Sequence, residues 1–232
     1  MIAEPETPLA VDTWFQDVSV GDWFYDNVSY VYQNNLMNGT SSSPMIFSPN
    51  NPLTRGMIVT ILYRHAGSPS VFDLTNPFSD VPGGEWYTNA VIWAADAEIV
   101  LGVGGGLFAP NTNVTREQLA TILYRYAQFL NKVTEGSLDG ALAFADAGSI
   151  SDYAKDAALY CFINGVITGK PGNLFDPQGL ATRAEAATML NRFIESLATG
   201  DMQAQDITPA DDAEQPEADA EAPEGETESI EE

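Results

Sequence analysis

One cysteine, one histidine and nine Lys or Arg residues are all that 232 positions hold of these types. A lone cysteine builds no internal disulfide framework. A single Cys with a single His leaves a Cys/His zinc site or a Cys/His nucleophile pair with little support. Scarce cysteine suits the cytosol, and equally an exported protein that does without disulfides. Against the nine bases stand thirty-three acids, for a formal net charge of −24. Nucleic acid needs clustered bases to displace counterions and an anionic membrane surface needs a polybasic patch, so neither is an expected partner. Long apolar runs are missing too. Nothing approaches the ~18 consecutive apolar residues of a spanning helix, so membrane insertion is not expected. The opening MIAEPETPLAVDTW has neither a basic nor an apolar leader region. The expectation is an intracellular protein, or a processed piece whose export signal lies elsewhere.

The negative charge is unevenly spread. Residues 201–232 hold thirteen acids, no Lys or Arg, no aromatic and three prolines, the composition of a disordered acidic tail. The remaining 200 residues still carry −11. An anionic ligand must therefore be held by a few local cations against a repelling field. With 44% hydrophobic residues the chain can bury a real core.

Comparison of the chain with itself reveals three copies of one unit. FQDV, FSDV and FADA begin at Phe15, Phe78 and Phe144, and FSPNNPLTR, FAPNTNVTR and FDPQGLATR begin at Phe47, Phe108 and Phe175. Trp23 to Gly39, Trp86 to Gly102 and Tyr153 to Gly169 each span sixteen residues. Apolar residues then fall at helical intervals: Val28, Val31, Tyr32 and Leu36; Val91, Ala94, Ala95 and Ile99; Ala158, Cys161, Phe162 and Val166. This predicts a first helix, closed by Gly39, Gly102 or Gly169 in a left-handed conformation. A Phe-x-Pro loop leads to Thr54, Thr115 or Thr182 as N-cap of a second helix. Short extended pieces near the Phe-x-Asp-Val segments are too brief to establish strands.

The fold class is accordingly all-α, with three helix-loop-helix repeats. A helix pair cannot bury its apolar faces alone, so three similar units around one core imply pseudo-threefold symmetry. The expected organisation is an N-terminal extension at 1–11, repeats at 12–68, 75–130 and 141–197 forming one domain, and the acidic tail at 198–232.

Each second helix opens with Arg55, Arg116 or Arg183, in the turn where the macrodipole is already positive. A cation there is costly alone and useful beside an anion, because its planar fork takes a carboxylate bidentately and free N–H groups at the helix start add to the attraction. The competing reading is an architectural ion pair to Asp17, Asp80 or Asp146.

These landmarks, three times over, resemble the S-layer homology domain family across roughly residues 12–197. The resemblance implies a three-pronged spindle whose inter-repeat grooves bind secondary cell wall polysaccharide, typically polymers of pyruvylated amino sugars. It assigns the acid-binding role to Arg55, Arg116 and Arg183. Support falls to Gly39, Gly102 and Gly169, and to the Asp and aromatic landmarks Asp17, Asp80, Asp146, Trp23, Trp86 and Tyr153. Only the third repeat has the full TRAE; the second has TREQ and the first TRGM. Glu185 and Gln118 can complete a capping box that Met57 cannot, which marks the first repeat as the weakest helix start and its groove as altered.

Other candidates have bland readings beside the functional ones. Arg64, Arg125 and Arg192 lie nine residues after the first arginines, half a turn away, and so face the other side of the second helix as structural residues. Tyr30, Trp93 and Tyr160 stack on sugars or, by default, pack in the core. Cys161 reads as a packed thiol, and His65 as a helix-end residue favoured in its charged form. GVGGGLF at 102–108 lacks the context of a phosphate loop, and no calcium-binding loop is present, so no cofactor and no metal are expected. The expected function is non-catalytic anchoring of an exported protein to an anionic wall polysaccharide at the cell surface. The alternatives are a self-assembly module and a wall-active glycosidase, which would need a carboxylate pair that nothing singles out.

Overall fold

The computed structural model describes residues 14–133, 138 and 140–199. The expected extension at 1–11 lies outside them, as does the acidic tail beyond residue 199. Six α-helices dominate: α1 (Tyr25–Gln33), α2 (Arg55–His65), α3 (Thr88–Asp96), α4 (Arg116–Phe129), α5 (Lys155–Ile163) and α6 (Arg183–Thr199). The mostly helical content agrees with the all-α expectation. The extended pieces occur elsewhere than expected. A two-residue hairpin, β1 (Ser41–Ser42) with β2 (Met45–Ile46), lies between the conserved-spacing glycine and the Phe-x-Pro loop. Single bridges Gly104–Leu107 and Lys170–Leu174 stand at the same place in the other copies. The Phe-x-Asp-Val segments only flank these turns, through Gln16, Ser79 and Ala145 amides donated to Met45, Gly106 and Asn173 carbonyls.

The first helices end earlier than the sequence pattern implies. Asn35, Glu98 and Gly165 adopt φ near +60°, and the amides of Leu36, Ile99 and Val166 reach back to the carbonyls of Val31, Ala94 and Cys161. This is the Schellman closure. It falls four residues before Gly39, Gly102 and Gly169, so those glycines serve another purpose. A Cβ on Gly39 would stand 2.7 Å from the Ile46 carbonyl oxygen and 2.8 Å from the Phe15 ring, and one on Gly102 would stand 2.6 Å from the Leu107 oxygen. Close approach excludes any side chain there, and only Gly169 also has positive φ, at 98°.

Packing runs between repeats. The second helix of each copy packs against the first helix of the next: α2 on α3, α4 on α5, and α6 back on α1. Where the chain approaches each second helix, Leu53 donates its amide to the Ala181 carbonyl, Ala181 to Val114, and Val114 to Leu53, at 2.8, 3.0 and 2.9 Å. Three hydrogen bonds thus close into a ring, with all three side chains fully buried. Tyr126 and Phe193 pack together in the same core, with His65 and Trp93 against Tyr126. Trp93 and Tyr160 are buried and Tyr30 packs against the core, which favours the packing role over sugar stacking. Cys161 is buried as expected, its thiol pKa pushed far up by burial.

Candidate functional site

Thr54, Thr115 and Thr182 are the N-caps that the sequence marks: their hydroxyls accept from the amides of Met57, Gln118 and Glu185. Gln118 and Glu185 return the bond to the Thr115 and Thr182 amides, whereas Met57 has no group to do so. The first two helical amides do not wait for a ligand. Arg55 and Gly56 donate to Thr112 and Pro110 carbonyls, Arg116 and Glu117 to Gly179 and Pro177, and Arg183 and Ala184 to Asn51 and Pro49. Each helix start is capped by the Phe-x-Pro loop of the next repeat. The expected free N–H groups at these helix starts are therefore consumed.

The three arginines cross the same boundary. Arg55 Nε donates to the Phe108 carbonyl at 2.8 Å and its Nη2 to Leu101 at 2.9 Å. Arg183 makes the matching bonds to Phe47 and Asn38, and Arg116 Nε donates to Phe175. Each guanidinium also faces the ring of the same phenylalanine, at 4.6 Å for Arg55 and Arg183 and 5.9 Å for Arg116. Two carbonyls and a ring face compensate the unfavourable helix-start position of Arg55 and Arg183; for Arg116 one carbonyl, the Glu185 carboxylate and the ring do so. Burial depresses all three pKa values, Arg183 to about 10 against the opposing pull of Asp17, yet each remains cationic at neutral pH.

No ion pair joins these arginines to the landmark aspartates. Asp17, Asp80 and Asp146 each accept two backbone N–H groups at 2.7 to 2.8 Å, from residues 47 and 48, 108 and 109, and 175 and 176. The second of each pair, Ser48, Ala109 or Asp176, has positive φ. The carboxylate thus clamps a strained loop, and its distance from the arginine is bridged only by longer-range attraction. Burial opposes ionisation of Asp80, but the amides of Phe108 and Ala109 outweigh it and hold the carboxyl below its usual range.

The grooves emerge where repeats meet. One is lined by Trp23 and Asn27 of the first repeat, Arg116 of the second, and Gly169, Lys170 and Arg192 of the third. Arg192 Nη1 donates to Thr168 beside Gly169, and Arg64 Nη1 to Leu36 close to the Asn38 carbonyl that Arg183 grips. Arg125 lies near enough to Arg55 and Tyr153 to perturb both electrostatically. Arg64, Arg125 and Arg192 therefore do not lie across the helix from the site. The half-turn argument holds within one helix, but each groove pairs the first arginine of one repeat with the second arginine of the next. Sequence spacing alone gave no sign of that partnership across the boundary.

The aromatic landmarks remain exposed at the groove edges: Trp23, Trp86 and Tyr153 are 45%, 56% and 54% accessible. The Trp86 ring edge lies against Gly56, 3.5 Å from where a Cβ would stand. The Tyr153 hydroxyl donates to Glu117 Oε1 at 2.8 Å, and burial together with that bond pushes its pKa up to about 12. Buried Glu117 also accepts from the Ser151 amide and hydroxyl. These bonds overcome its desolvation and keep its pKa low, a structural role that the sequence reading missed. His65 departs from its expectation. Burial lowers its pKa despite its place at the helix end, and its Nδ1 pairs with the Tyr126 hydroxyl at 2.6 Å.

Three segments, 15–56, 77–120 and 143–187, match the model of the S-layer homology domain. The chain belongs to the S-layer homology domain family. Its relatives include the exoglucanase XynX of Acetivibrio thermocellus, 30% identical over 84% of this chain and 17% of that protein. An S-layer protein of Bacillus thuringiensis subsp. finitimus is 26% identical over 86% of this chain and 24% of its own length. A cellulosome-anchoring protein of A. thermocellus is 26% identical over 65% of this chain and 34% of its own. The chain thus spans about a third or less of each of these relatives. For the glucanase, the enzymatic name belongs to a protein of which S-layer homology repeats match only a small part.

Proposed function

We propose that this chain is a non-catalytic module that holds an exported protein at the cell wall by binding an acidic secondary wall polysaccharide in the grooves between repeats. The three repeats form a pseudo-threefold bundle, a reading supported by the ring of Leu53, Val114 and Ala181 and by the cyclic pairing of helices. The observation that carries the functional reading is the composition of the grooves. Arg116 and Arg192 from adjacent repeats line one groove with Gly169 and exposed Trp23, and the bonds of Arg55 to Leu101, of Arg183 to Asn38 and of Arg64 to Leu36 support the same pattern at the other two junctions. Guanidinium groups suit the carboxylate of a ketal-linked pyruvate, and an accessible ring suits a sugar face. Gly39, Gly102 and Gly169 let the groove loop pack against the Phe15, Phe78 and Phe144 rings, while Asp17, Asp80 and Asp146 hold the loop that the arginines grip. Names of relatives that include an S-layer protein and an anchoring protein agree with a surface role. Related grooves on one body raise retention by avidity where polymer chains reach more than one.

The test is co-sedimentation with purified walls, intact and stripped of secondary polysaccharide, using wild type and the double variant Arg64→Ala with Arg125→Ala. These arginines make few bonds within the protein, so folding survives their loss. Retention should fall on stripping and fall with the double variant. Undiminished binding of both proteins to stripped walls would sink the proposal.

A further inference from the structure

The three grooves, numbered here by the repeat that supplies the glycine and the second arginine, differ in charge. In the third, Arg116 Nη1 donates to Glu185 Oε1 at 3.2 Å, and Lys170 Nζ reaches the same oxygen at 3.1 Å and Asp176 Oδ2 at 2.8 Å. Glu185 Oε2 meanwhile accepts from the Thr182 amide. Both oxygens of Glu185 are thus engaged within the protein. Arg116 also feels the more distant carboxylates of Asp176 and Asp146.

Neither other groove has such a cluster. Three residues after the N-cap, Glu185 is replaced by Gln118 and Met57; after the glycine, Lys170 is replaced by Val103 and Thr40; after the phenylalanine, Asp176 is replaced by Ala109 and Ser48. Asp80 and Asp17 act on Arg55 and Arg183 only from beyond ion-pair distance, since both carboxylates are spent on backbone amides. Among the described residues Arg116 is ion-paired to a carboxylate, whereas Arg55 and Arg183 bind only backbone carbonyls and a ring face.

Building on the groove reading above, we propose that Glu185 is a built-in counter-ion occupying the anion position of the third groove, so that acidic sugar binds in the other two. A ligand carboxylate entering beside Arg116 must displace a buried carboxylate that also caps α6 and holds Lys170. Beside Arg55 or Arg183 it displaces no protein carboxylate. This reverses the ranking implied by motif completeness, since the copy with the full TRAE is the one whose arginine is already neutralised. Met57 weakens a helix cap while leaving the groove at Arg183 free of a competing acid.

The exposed aromatics report each groove separately: Trp23 the third, Trp86 the first and Tyr153 the second. The probe is the methyl glycoside of a hexosamine carrying a pyruvate ketal, titrated while the side-chain NMR signals of these residues are followed. In wild type, Trp86 and Tyr153 should respond and Trp23 should stay still. Glu185→Gln keeps the helix cap, as Gln118 does in the second repeat, and should bring the Trp23 response at least about tenfold closer in concentration to that of Trp86. The reverse change, Gln118→Glu, should pair with Arg55 and silence Tyr153. Equal responses of Trp23 and Trp86 in wild type, or unchanged Trp23 and Tyr153 behaviour in the two variants, overturn the proposal. Absence of any response at Trp86 and Tyr153 in wild type overturns instead the groove reading on which it rests.

Discussion

Asp80 fixes two amides of a loop whose next residue, Ala109, is held at φ 59°. Charged hydrogen bonds of this kind contribute about 1.5–3 kcal/mol each, and Asp80→Asn, which keeps shape but loses the charge and one of the two acceptors, should lower unfolding free energy by about 2 kcal/mol or more in urea titrations. The pH dependence has a definite sign. Asp80 and Glu117 have folded pKa values below the ordinary carboxylate range, and His65 below the ordinary imidazole value. Their stabilisation is complete above the unfolded values and is lost as pH falls through the folded ones. Stability should thus decline in two stages on acidification, first with His65 and then with the carboxylates, and Asp80→Asn should flatten the second. At this scale the sequence was informative about identity and less so about partners. Arg55, Arg116 and Arg183 stand out by their odd placement. Their hydrogen bonds to Phe108, Phe175 and Phe47 cross 53, 59 and 136 positions, beyond any local pattern.

Helix starts and helix ends were not equally legible. Thr N-caps followed by Arg were readable because capping is local chemistry. The ends were not, since Asn35 and Glu98 take the left-handed turn that a search for glycine overlooks. The glycines instead mark close approach, which makes a sharp contrast measurable. Gly102→Ala sets a Cβ against the Leu107 carbonyl and the Phe78 ring and should cost about 1–3 kcal/mol, the range of overpacking. Gly83→Ala, with nothing within 4 Å and ordinary backbone, should be close to neutral. The first repeat's incomplete cap gives a second test. Met57→Gln lets a side chain reach the Thr54 amide as Gln118 reaches Thr115, and thermal denaturation should register a gain of about 0.5–1 kcal/mol.

At the scale of the whole molecule, the order of packing matters more than any one helix. α1 rests on α6, so the beginning and end of the described chain close the bundle, and the Leu53 amide depends on the Ala181 carbonyl. A chain limited to residues 14–133 leaves α1 without its partner and the ring open. It should unfold without a cooperative transition by circular dichroism, since a repeat cannot bury its face alone. The repeats were plain in the sequence, because landmark spacing records shared local structure. That the proposed binding surface draws on the junctions was hidden, because each groove takes residues from neighbouring copies.

The central claim is that arginines gathered at those junctions read the acidic groups of a wall polymer. Calorimetric titration of the intact chain with solubilised secondary polysaccharide, before and after mild acid removal of its ketal-linked acidic groups, tests it most directly. Binding that is lost with the acidic groups, while the sugar backbone stays intact, is the predicted result. Equal affinity for the two polymers would contradict the account.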